Sequence, residues 1–195
     1  MVERVFKIGV VIAILLATFV GCQRQNLLNK VKTYVDAANR HDLDAIDAML
    51  TEDIVFEMNG TSIALGKEQV RTVHDNEAGF NTELELTDCK EKGNTVTCKI
   101  TERNDYVIAA GINEINYTSG DFTFKNGLIK KISATMSPES IKSGKEFDQG
   151  FLTWVKQNRS EELAKLMTPA GKFKWGRESA KIMVNLVKEY QAQKK

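Results

Sequence analysis

Three two-residue turn signals constrain this chain more than any other feature. Asn59-Gly60, Gly93-Asn94 and Asn126-Gly127 each lie between runs rich in β-branched and aromatic residues. Such pairs supply the left-handed backbone that a tight hairpin needs. The runs Ile54–Met58 with Thr61–Leu65, Glu85–Cys98 folded about Gly93-Asn94, and Ile115–Lys125 with Leu128–Met136 therefore read as hairpins. In the middle one, counting outward from the loop sets Lys92 against Thr95, Glu91 against Val96, Lys90 against Thr97 and Cys89 against Cys98. A non-hydrogen-bonded pair brings side chains closest, so a disulfide between Cys89 and Cys98 is expected. Continued unbroken, the same register sets Glu85 against Glu102.

Helical periodicity fills the rest. Leu27, Leu28, Val31, Tyr34, Val35 and Ala38 recur every three or four residues over Asn26–Asn39. Asp42 is placed to cap a second helix whose buried stripe is Leu43, Ile46, Met49 and Leu50. A third helix is expected over Lys67–Ala78, with Gly79 as its stop, and a short helical turn after Asp105. Ser137-Pro138-Glu139 has the cap, first-turn proline and early acid of a helix start. Phe147, Phe151, Trp154 and Val155 give that helix its apolar face, and two further helices follow around Leu163–Met167 and Ile182–Tyr190.

The first residues read as an address. Arg4 and Lys7 precede an apolar run, Ile8–Val20, too short to span a bilayer comfortably and suited to a signal peptide. It ends in Phe19-Val20-Gly21-Cys22, which resembles a bacterial lipobox with Phe where Leu is usual. The resemblance implies cleavage after Gly21 and lipidation of Cys22, and several acyl chains make a stable membrane anchor. The expected location is the bacterial cell envelope, on the periplasmic or extracellular face of a membrane, with 1–21 a lipoprotein signal peptide. An uncleaved signal anchor, or a plain secretory peptide, is the alternative. Two cysteines left for an oxidising compartment agree with export.

The chain carries 27 Lys+Arg against 26 Asp+Glu. No basic excess is present to hold nucleic acid. Two histidines, far apart, give little support to a metal site, and no P-loop, dinucleotide fingerprint or nucleophile elbow occurs, so no cofactor is expected.

The segments Tyr34-Val35-Asp36-Ala37-Ala38-Asn39-Arg40-His41-Asp42-Leu43-Asp44-Ala45 and Leu50-Thr51-Glu52-Asp53-Ile54-Val55-Phe56, together with the order of elements, resemble the SnoaL-like, nuclear transport factor 2-like superfamily. The resemblance covers residues 27 to 137. It implies an α+β fold in which a curved antiparallel sheet forms a cone-shaped half-barrel packed with N-terminal helices. That domain is taken as 22–137, with 138–195 a C-terminal helical extension packed on it. Fold alone does not assign function, because relatives include isomerases, dehydratases, hydrolases and binding modules.

The opposed carboxylates make Glu102 a candidate for proton transfer, since a paired carboxyl facing a pocket holds its proton more tightly. Asp105 and His74 are the other catalytic candidates. Tyr34, Tyr117 and Asp121 are candidate ligand contacts, while His41 beside Asp42 reads as part of a turn. A solvated strand face, or a bulge that breaks the register, is the plainer account of the glutamates. Three functions follow: a lipid-anchored module holding a small hydrophobic or amphiphilic ligand, an isomerase or dehydratase using pocket carboxylates, and an envelope interaction protein dimerising through the outer face of its sheet. Ionisable groups converging on one cavity would favour the enzyme, and an apolar cavity with few such groups the binding module.

Overall fold

The computed structural model describes residues 27–194; residues 1–21, read above as a signal peptide, and Cys22 lie outside them. Six strands form one curved, unclosed sheet in the order β2-β1-β6-β5-β4-β3. The strands are β1 (Leu50–Met58), β2 (Thr61–Leu65), β3 (Glu83–Lys92), β4 (Thr95–Arg103), β5 (Ile115–Lys125) and β6 (Leu128–Met136). The three turn pairs sit at hairpin tips: both central residues of Asn59-Gly60 and Asn126-Gly127 are left-handed, and so is Gly93.

Helix α1 (Leu27–Asn39) buries Val31, Tyr34 and Val35, and α2 (Leu43–Ala48) is capped by Asp42, whose carboxylate accepts from the Ala45 amide. That helix is shorter than its sequence pattern. Leu50 opens β1 and pairs with Ile129, because its side chain enters the core from the strand. Helix α3 (Lys67–Phe80) runs through Gly79 and ends at left-handed Asn81. Gly79 marks a close approach, since a Cβ there would lie 2.4 Å from the Arg177 carbonyl oxygen and 2.6 Å from Ala180 Cβ. The helices α4 (Asp105–Ala109), α5 (Pro138–Asn158), α6 (Ser160–Lys165) and α7 (Arg177–Ala192) complete the described chain.

The sheet is mixed, where an antiparallel one is expected. The chain leaves the β1–β2 hairpin through α3 for the far edge, then returns by three reversals, so β6 arrives parallel to β1. Register shifts interrupt several pairings, and such bulges bend a sheet.

One bulge corrects the expected β3–β4 register. Lys92, Glu91 and Lys90 do face Thr95, Val96 and Thr97, and Cys89 and Cys98 are disulfide-bonded. Asp88, at φ 51°, then adds one residue, so Thr87 faces Lys99, Glu85 faces Thr101, and Leu84 lies opposite Glu102. The two glutamates are not opposed. Leu84, Leu86 and Cys89 all require the inner face, and the extra residue puts them there despite their mismatched parity.

Two clusters make the core. The larger fills the space between α1, α3 and the concave sheet around Ile54, Val70, Val96 and Phe122. The smaller gathers Phe151, Val155, Leu166, Leu186 and Val187 from the last three helices with Ala110. Between them the cone stays open inside.

Candidate functional site

A cavity of about 450 Å³ occupies that interior, within the roughly 300–1,000 Å³ typical of small-molecule sites. Helical spacing explains two of its walls. Val73, Asn76, Glu77 and Phe80 form one face of α3, and Ser140, Gly144, Phe147 and Asp148 one face of α5. Phe56, Met58, Tyr117 and Met136 come from the sheet, Tyr106 and Val107 from α4. Trp175, 49% exposed, reaches the cavity from the segment before α7.

Glu102 projects inward because it continues the alternation Val96, Cys98, Ile100 on β4. Its Oε2 accepts a hydrogen bond from the Tyr117 hydroxyl and its Oε1 one from Asn104 Nδ2, both at 2.6 Å. Asn104 is itself fixed, since its Oδ1 caps α4 by accepting from the Val107 amide at 2.9 Å. Burial raises the pKa of Glu102; the Tyr117 bond opposes that rise, and the charge of Glu77 adds to it. The Tyr117 phenol is in turn pushed far up by burial and by the Glu102 charge, so it keeps its proton and donates.

Glu77 is the second acid on the cavity wall. Its Oε2 lies 2.8 Å from His74 Nδ1, and His74 Nε2 lies 2.7 Å from the Tyr34 hydroxyl. Burial raises the Tyr34 pKa strongly, with Glu77 adding to it, so the phenol keeps its proton beside Nε2 while Nδ1 faces the Glu77 carboxylate. Tyr34, His74 and Glu77 form a relay from the core to the cavity. His74, 4% exposed, and Tyr34 stand behind Glu77 and do not line the cavity. A third acid, Asp148, accepts from the Tyr106 hydroxyl at 2.8 Å.

Of the residues singled out by sequence, Glu102 and Tyr117 meet in the cavity. Asp105 does not: it is exposed in the first turn of α4, because the capping residue is Asn104. Asp121 accepts from Thr97 Oγ1 across β4–β5, away from the cavity lining. His41 is a left-handed turn residue. Glu77, Asn104 and Asp148 are among the polar wall residues that sequence reading missed. Glu77 was legible as the residue three after His74 on the same helix face, and Asn104 as a cap before a short helical run; Asp148 had no local signal. Among the described residues no group of three His, Cys, Asp or Glu side chains is arranged to hold a metal ion.

No curated protein matches the chain in sequence. Solved structures do resemble it. The epoxide hydrolase/cyclase-like enzyme SalBIII, of pyran ring formation in polyether salinomycin, superposes with a TM-score of 0.51 at 20% identity, over 56% of this chain and 89% of that one. Rv0760c from Mycobacterium tuberculosis, in complex with estradiol-17β-hemisuccinate, gives 0.50 at 16% identity, over 58% and 95%. A de novo designed protein with a curved β-sheet also gives 0.50, at 19% identity, over 64% and 95%. At these identities the likeness establishes the fold and not the chemistry. The sequence profile of the SnoaL-like domain matches residues 31–132, more than half of the chain. The chain belongs to the SnoaL-like domain family, whose cone-shaped sheet encloses the cavity described above.

Proposed function

We propose that the cavity binds a small apolar molecule with one polar end, and that Cys22 carries the lipid that holds the domain at a bacterial membrane. The observation that carries the first part is a predominantly apolar cavity of about 450 Å³ with Glu102, held by Tyr117 and Asn104, among its few polar groups. Rv0760c, of the same fold, is seen with a steroid ester bound. Gly144 supplies the test. It lies on the cavity face of α5, and a Cβ there would meet nothing within 4 Å. Gly144→Leu therefore fills the cavity while improving helix propensity by about 1 kcal/mol. N-phenyl-1-naphthylamine, a neutral fluorescent apolar probe, should bind the parent saturably and Gly144→Leu at least about tenfold more weakly. Probe binding unchanged by the substitution would refute the assignment. The anchor is tested by incorporation of labelled palmitate, expected in the parent and lost in Cys22→Ala.

One observation favours a second reading, proton transfer. Three carboxyls line the cavity, and that of Glu102 holds its proton more tightly than an ordinary carboxylate. Such a group serves as acid or base in an isomerase or dehydratase. Glu102 would move the proton, with Tyr117 and Asn104 orienting it and the Tyr34–His74 relay holding Glu77. With 3-cyclohexen-1-one as probe, the reading expects ultraviolet absorbance of the conjugated isomer to rise above the buffer rate and to fall about a hundredfold in Glu102→Gln. No conversion above buffer overturns this reading and leaves binding untouched.

A further inference from the structure

We propose that the polar end of the ligand is a cationic amine or quaternary ammonium group. The inference rests on the binding function assigned above and specifies its ligand class. The cavity wall is charged in one sense only. Glu77, Glu102 and Asp148 line it, and no lysine or arginine among the described residues does. An anionic or strongly electron-rich end would meet uncompensated repulsion there, in a setting where burial weakens screening.

The acids are held by hydrogen bonds but not neutralised by a cation on the wall. Glu102 accepts from Tyr117 and Asn104, Asp148 from Tyr106, and Glu77 from His74. A ligand cation would offset the charge repulsion from Glu77 that adds to the rise burial causes in the pKa of Glu102.

The apolar part of the wall has matching chemistry. Phe80, Tyr106 and Phe147 form a continuous aromatic group, with ring centroids 5.6 Å apart for Phe80–Tyr106 and 6.0 Å for Tyr106–Phe147. Phe173 and Trp175 add an edge-to-face pair at 6.0 Å, with the Trp175 ring half exposed. Faces of aromatic rings are negative, and cages of such rings with a nearby acid recognise alkylated ammonium ions. Thr82 supplies an independent sign of a missing partner: the residue lines the cavity, is 3% exposed, and its buried hydroxyl has no hydrogen-bond partner.

The test is displacement of N-phenyl-1-naphthylamine from the full chain by three probes of one shape. These are 2-phenylethyl-trimethylammonium, its carbon isostere with a tert-butyl group in place of the ammonium, and 3-phenylpropanoate. The cation is expected to displace the dye at a concentration at least tenfold below that of the carbon isostere, with the carboxylate weakest. Glu102→Gln combined with Glu77→Gln should collapse the preference for the cation over the isostere to less than threefold, circular dichroism verifying the fold. Because Gln at Glu102 can still accept from Asn104 Nδ2 through Oε1 and donate from Nε2 to the Tyr117 hydroxyl, the single variant Glu102→Gln gives the same reading with less structural risk, as a reduced preference. A cation that competes no better than its isostere overturns the inference while leaving the binding function standing. Failure of the dye itself to bind overturns the binding function.

Discussion

Glu102 sits between two opposing demands. Its carboxyl is removed from water, which favours the proton, yet Tyr117 and Asn104 donate to it, which favours the charge. Burial wins, and the sign of the consequence is fixed. The folded state holds this proton more tightly than the unfolded chain, so stability contributed by the protonated group is present at low pH and is lost as pH rises from the ordinary carboxylate range through the raised folded pKa. Glu102→Gln cannot lose that proton. The difference in Tm between Glu102→Gln and the parent should be flat below the ordinary carboxylate range and move in the variant's favour above it. A pH series of thermal melts checks this; a difference independent of pH contradicts the raised proton affinity. Tyr34→Phe tests the relay behind Glu77. It leaves the Nε2 of a 4% exposed histidine without its partner, which should cost about 1–3 kcal/mol and lower the Tm at neutral pH. The sequence marked Glu102 through an expected opposition to Glu85 that the bulge at Asp88 removes, and Tyr117 as a candidate ligand contact; what places both in the cavity is the inward face of their strands. Glu77 could be placed by its spacing from His74 on α3, Asp148 needed the three-dimensional path of α5, and Asp105 misled because its neighbour Asn104 took the cap.

Elements carried their own lessons. The hairpins were legible because two-residue turns impose a register directly, and the strands of the last hairpin begin and end where the pattern places them. The bulge at Asp88 was legible only as a conflict: Leu84 and Leu86 share one parity and Cys89 the other, and all three face inward. An unbroken register cannot satisfy that. Gly79 shows the converse, a residue whose reason lies in another element. As a stop signal it reads as a helix end, yet α3 continues through it, and α7 crosses where a side chain would collide. Gly79→Ala raises helix propensity but forces Ala180 and Arg177 away, so overpacking should dominate with a net loss of about 1–3 kcal/mol. Denaturant titration reads the sign. A stabilised variant would mean that α7 does not press on α3.

At the scale of the molecule, the fold puts a recognition surface inside rather than on the outside. The sheet bends about bulges, α3 closes one side, and the last three helices with α4 close the other, leaving the interior cavity as the place where acids and aromatic rings converge. The overall class was readable because the order of helices and hairpins is a one-dimensional record of topology. The helices after Ser137 were readable as helices from periodicity, but not as a wall of the cavity: that depends on Phe147, Asp148 and Trp175 coming together from separate segments. The central claim, that this interior receives a small apolar molecule, is tested most directly by amide chemical-shift mapping of the full chain titrated with N-phenyl-1-naphthylamine. The account predicts saturable shifts concentrated at Glu77, Thr82, Glu102, Tyr106 and Gly144, and their loss in Gly144→Leu. Shifts confined to the outer, convex face of the sheet, or absent at saturating probe, would contradict it.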